Sequence, residues 1–207
     1  MTRLLLVLFA SLLAASCAVV RTNVAVTHML PAAASKTVAI VPYTDNIAMA
    51  PDYQANTQKL AAQLRSKGYN VVPAQGGQAP DYLAYFMYRI DNGTPVNQLA
   101  GRPQPNTGSI ITYGLRTAFS TSTRRIYKRS VTLEIVDRAR FQPNMPASYV
   151  TARVYSGAVI SDGPCPMAVA MDPMLNALFA DFPGQSGRLT SVDVPADTTA
   201  CGLDRFG

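Results

Sequence analysis

Tryptophan is missing from the 207 residues, histidine and glutamate occur once each, as His28 and Glu134, and charged residues make up only 14% of the chain. Each scarcity narrows the chemistry. A Ser-His or Cys-His nucleophile has one candidate base, His28, and it lies in an alternating stretch where a histidine is more often structural. Paired carboxylates for glycoside hydrolysis should project toward one cleft, and Glu134 is the only glutamate. Asp137, three residues further on, points to the opposite face of a regular strand. There is no CxxC, no S-x-x-K, no phosphate-binding glycine loop and no dinucleotide fingerprint. Gly184-Gln185-Ser186-Gly187 lacks the nucleophile-elbow spacing and follows a helical pattern, so it reads as a turn. Asp193, Asp197 and Asp204 match no calcium loop and read as a solvated tail. No catalytic residue, metal ligand or cofactor is assigned.

The longest apolar run is near the N-terminus. Arg3 precedes leucine-rich residues 4–10, and small residues lead into Ala14-Ala15-Ser16-Cys17. This is too short for a transmembrane helix, which needs roughly 20 apolar residues. It resembles a bacterial lipoprotein signal (1–16) with its lipobox, which implies cleavage before Cys17 and acylation of that cysteine. A plain secretory signal would leave Cys17 as a bare thiol. Ala14 departs from the pattern, where leucine is commoner. Ala18 and Val19 follow with no inner-membrane retention aspartate, so the resemblance implies an outer-membrane anchor facing the periplasm. Residues 17–21 are expected to be a tether and 22–207 a single domain.

With Cys17 assigned to lipid, Cys165 and Cys201 remain as a pair in an oxidising compartment, and a disulfide is expected. The formal charge of +6 becomes +5 without Arg3. In the periplasm such a balance suits an anionic membrane surface, peptidoglycan or an acidic envelope protein better than nucleic acid, and no nucleic-acid partner is expected. The densest cations are Arg124, Arg125, Lys128 and Arg129 around Tyr127, read either as a solvated hairpin end or as an anionic-surface contact.

Along the chain, alternation predicts strands at 22–28, 37–41, 69–73, 82–91, 110–119, 126–136, 149–160 and 189–194. A helix is predicted from Asp52 to Lys67, stopped by Gly68, and another over 172–182 with Asp172 as N-cap and Pro173 in its first turn. Residues 45–51 and 95–108 read as loops, and 121–125 as a hairpin turn inside an antiparallel meander. The expected fold is α/β (α+β), two-layered, with a mostly antiparallel sheet and two main helices on one face.

The helix exit Lys67-Gly68-Tyr69, the strand Asp81-Tyr82-Leu83-Ala84-Tyr85, the segment from Tyr127 to Asp137 and Phe182-Pro183-Gly184 together resemble DUF4136-type lipoproteins over roughly residues 24–194. The resemblance implies a two-layer periplasmic domain without established catalytic residues. More loosely, the layout is similar to periplasmic domains that bind protein partners. The expected role is a non-catalytic envelope module; the alternative is an enzyme, or a carrier of lipid or small molecules, with a site assembled from distant residues.

Overall fold

The computed structural model describes residues 19–30, 36–75, 79–103, 117–195 and 201. Cys17, the signal segment, residues 110–116 of one expected strand, and Asp197 and Asp204 lie outside them. The elements are β1 (Val19–His28), β2 (Thr37–Pro42), α1 (Asp45–Ala48), α2 (Tyr53–Ser66), β3 (Asn70–Val72), β4 (Tyr82–Ile90), β5 (Thr94–Pro103), β6 (Thr117–Asp137), α3 (Pro146–Ala152), β7 (Arg153–Gly163), α4 (Met167–Phe179) and β8 (Arg188–Pro195). Seven strands form one sheet in the order β3-β2-β4-β6-β7-β1-β8, with β5 paired to β6 off that path. Among the described residues, only the β2–β3 and β2–β4 pairings are parallel. The fold is mixed α+β, as expected.

Period-two alternation puts Tyr82, Ala84, Phe86 and Tyr88 of β4 on one buried face. Val131, Leu133 and Ile135 of β6 share that face and are fully buried, as are Tyr155 and Val159 of β7. Helices α2 and α4 cover it with Leu60, Leu64, Met171, Met174, Leu175 and Leu178. Each such side chain contributes about 1.5–3 kcal/mol when fully buried. The two helices are clasped at their outer rim by Lys59–Asp172 at 2.9 Å and Gln63–Asn176 at 2.7 Å. Gly157 leaves room for this layer, since a Cβ there would lie 2.8 Å from Leu178 Cδ1.

Helix α2 ends where the sequence says it should. Gly68 adopts φ +89°, its N–H donates to Arg65 O and the Tyr69 N–H donates to Leu64 O, the paired bonds of a Schellman stop.

Several boundaries differ from expectation, each for a physical reason. Residues 19–21 are not a tether: β1 begins at Val19, which pairs with Pro195 of β8. The turn expected at 121–125 does not exist. β6 runs unbroken for 21 residues, because Thr121 and Thr123 are β-branched strand formers and no glycine or proline interrupts them. The expected loop after Pro95 contains β5, paired along β6 from Thr94↔Ile126 to Pro103↔Thr117. Residues 149–152 belong to α3, which Pro146 initiates. Residues 45–48 form α1 within an expected loop. Finally, α4 starts at Met167, so Asp172 is not its N-cap and Pro173 is an interior, buried residue.

Candidate functional site

Strand β6 carries the residues of most chemical interest. Its second half is flanked by β4 and β7, and Tyr127 opposite Gly163 is the last β6–β7 pair. Beyond it the ten pairs of β5 with β6 continue as a two-stranded ribbon. Between Ile90↔Arg129 and Thr94↔Ile126, three residues oppose two, so the junction is a one-residue bulge. Gly93 makes it possible: φ is +72°, and a Cβ would lie 2.8 Å from the Tyr127 ring. Asp91 Oδ1 closes the bulge by accepting from Gly93 N at 3.0 Å and Lys128 N at 2.9 Å.

The four cations read as one surface cluster therefore separate. Arg125 and Lys128 are exposed and Arg124 is half-buried, all at the ribbon's base. Arg129 is not a surface residue; at 2% exposure it points beneath the helices. Its Nη1 donates to Cys165 O at 2.7 Å and its Nη2 to Ser161 Oγ at 3.0 Å. Burial pushes its pKa down, and nearby Asp162 pushes it up. Gly163 leaves room for the guanidinium, since a Cβ would lie 2.8 Å from Arg129 Nη2. Cys165 is also bonded to Cys201, the disulfide expected from the cysteine count. In the chain-entropy view such a loop stabilises by roughly 4 kcal/mol. Arg129 and the disulfide thus tie down the end of the sheet from which the ribbon leaves.

On the opposite face, Glu134 is buried among donors. Arg153 Nη1 lies 2.7 Å and Ser156 Oγ 3.3 Å from its Oε1, and the Tyr149 hydroxyl donates to Oε2. Tyr85, Phe141 and Tyr149 pack edge to face over it, with ring centroids 5.3–6.4 Å apart. Burial, then the Glu134 bond, pushes the Tyr149 phenol well above its ordinary pKa. Three donors engage both oxygens of this carboxylate, and the arrangement can hold α3 against the sheet. Sequence reasoning singled out Glu134 as the only glutamate but not Arg153 or Tyr149, whose proximity is tertiary.

His28 acts as a brace. Its Nε2 is 2.8 Å from Gly184 O, and its backbone N–H donates to Ser186 Oγ at 3.2 Å, fixing the 184–187 turn against β1. The cleft beside that turn, lined by Val24, Val26 and Val192 together with Asp181, Gln185 and Arg188, has a volume of about 150 Å³, below the roughly 300–1,000 Å³ of typical ligand sites. A more open, polar cleft of about 330 Å³ contains Lys36, Asp81, Asp137 and Arg138. Its carboxylates are engaged locally. Asp81 accepts from Thr37 N and Oγ1, both at 2.8 Å, which lowers its pKa, and Asp137 pairs with Arg140 at 3.5 Å. Among the described residues no group of three His, Cys, Asp or Glu could hold a metal. No described helix is long and apolar enough to cross a membrane.

No family model matches the chain, and no curated protein matches it. Among solved structures it is similar to a PDZ domain protein from Parabacteroides distasonis, with TM-score 0.47 and 13% identity over 86% of this chain. The chain spans 40% of that protein's length. It is also similar to the PelC dodecamer from Paraburkholderia phytofirmans, with TM-scores of 0.42 and 0.40 in two crystal forms. Identity there is 13%, over 80% of this chain and 99% of that one.

Proposed function

We propose that this chain is a periplasmic lipoprotein, acylated at Cys17 and held at the outer membrane, whose domain acts through envelope contacts without catalysis. The lipobox-like run ending at Cys17 carries the reading. It is supported by the position of β1, which begins two residues later, so that an acylated cysteine would be joined to the sheet almost directly. The non-catalytic part is supported by the way three described carboxylates are used: Glu134, Asp81 and Asp137 all serve local structure. The partners that fit are the membrane through Cys17 and an envelope protein or peptidoglycan.

The test is the intact mass of protein purified from the membrane fraction, with and without reduction and alkylation. The expected result is an acylated chain starting at Cys17 in which two thiols alkylate only after reduction. A soluble chain starting elsewhere would overturn the lipoprotein reading.

A further inference from the structure

Strand register places the N-terminal end of β1 and the ribbon at the same end of the sheet. One row runs Ser130–Ile160–Asn23–Ser191 across β6, β7, β1 and β8. From that row β6 descends through Tyr127 into the ribbon, while β1 descends to Val19 in the same direction. Cys17 is two residues further on, a reach of about 7 Å at most. The ribbon's ten pairs span about 33 Å.

In sequence, basic residues cluster around the same strands. Residues 92–133 contain Arg102, Arg116, Arg124, Arg125, Lys128 and Arg129 and no acidic residue; the other twelve Lys and Arg balance the twelve Asp and Glu of the whole chain. Of the cations in 92–133, Arg129 is buried in the sheet, so the cations at the ribbon's base are Arg124, Arg125 and Lys128, with Asp91 and Asp162 beside Lys128. Neither the outer edge of β5 nor the 117–126 edge of β6 is paired to another described strand, and two strands alone are marginally stable in water.

We propose that the β5–β6 ribbon lies along the anionic phospholipid headgroups of the leaflet that holds Cys17, with Arg124, Arg125 and Lys128 at its base as the cationic contact. The inference rests on the lipoprotein reading. An anchor reaching about 7 Å keeps this end of the sheet at the headgroups, so a ribbon several times longer runs along the interface instead of standing clear of it. Unpaired strand edges cannot enter the hydrocarbon core, which holds the ribbon at headgroup depth. Each cation at an anionic surface strengthens attraction about fivefold. The same charges repel the ribbon of a second copy, so a lipid surface fits better than self-pairing.

The experiment follows hydrogen exchange of 94–103 and 117–126 in the acylated protein. The protein is placed in detergent, in phosphatidylcholine vesicles, and in vesicles with about one-third phosphatidylglycerol, the anionic lipid that attracts basic segments. The expected result is exchange slowed about tenfold or more in anionic vesicles alone, and restored by roughly 0.5 M salt, which screens such contacts. The triple variant Arg124→Ala, Arg125→Ala, Lys128→Ala should lose this protection while residues 127–137 keep theirs. Identical exchange in both vesicle types overturns the proposal, as does equal protection by a soluble polyanion in detergent, which would reassign the ribbon to an anionic polymer. Mass spectrometry of the same sample separates the two failures: an acylated chain with an unprotected ribbon sinks this inference alone, and an unacylated chain sinks the lipoprotein reading beneath it.

Discussion

Arg129 and Glu134 lie five positions apart on β6, are both buried, and face opposite sides of the sheet. Each is held by local hydrogen bonds. Arg129 is held by two neutral acceptors, so its role is to join the base of the ribbon to the disulfide-linked turn. Glu134 meets a cation, a phenol and a hydroxyl, and losing its charge leaves Arg153 without its counter-ion. Arg153 is 36% exposed, so water recovers part of that loss. Glu134→Gln keeps the shape and is expected to cost about 1–3 kcal/mol, the range for leaving a buried hydrogen-bonding group unsatisfied. Equilibrium urea unfolding measures it, and a change under about 0.5 kcal/mol, the scatter of ordinary surface substitutions, would mean that the pair is solvated in practice. The sequence makes Glu134 conspicuous by its singularity. Its partners at positions 149, 153 and 156 become visible only once α3 and β7 fold back over β6.

At the scale of elements, one strand passes through two environments. Residues 127–136 of β6 pair on both sides, with β4 or its bulge and with β7, whereas 117–126 pair only with β5. Exchange protection should therefore divide within a single strand: in detergent, 127–136 exchange only with global unfolding, and 117–126 exchange through local opening orders of magnitude faster. Uniform protection from 117 to 136 would contradict this and imply that something already covers the ribbon. The same division explains what sequence pattern could reveal. Where an element packs on the core, its periodicity was legible: α2 with Leu60 and Leu64 and its Gly68 stop, β4 with its alternating aromatics, and the 131–135 face of β6. In the ribbon no core imposes a period, so Thr121, Ser122 and Thr123 followed by two arginines resemble a turn although their backbone is extended. The start of α4 was hidden for another reason. Asp172-Pro173 carries the chemistry of a helix start, but Pro173 is buried in the middle of a helix that begins at Met167, where burial of its apolar face outweighs the lost backbone bond.

Across the whole molecule, tyrosines take the place of the missing tryptophan as large aromatic core groups. Tyr69 packs at the α2 exit against Tyr82 and Phe182, and Tyr155 packs at a tilt against Phe182. Tyr88 reaches from β4 to Asp52 at the head of α2 with a 2.6 Å hydrogen bond. Tyr149 holds α3 to the other face through Glu134. Burial is the leading cause of a raised pKa in each, to about 12 for Tyr69 and Tyr88 and higher for Tyr149 and Tyr155. A phenol whose folded pKa exceeds its unfolded value of about 10 binds its proton more tightly when folded. The stability this contributes is intact below pH 10 and is lost as the unfolded chain ionises and the folded one does not, between about pH 10 and 12. Because these residues span both layers, the losses add in one transition. Titration with base should show the ultraviolet tyrosinate band rising together with loss of far-ultraviolet circular dichroism, as one cooperative step above pH 10. If these phenols instead ionised near pH 10 with the dichroism intact, the tyrosines would be wet, and the packing of α2, α3 and α4 on the sheet would be looser than these contacts require.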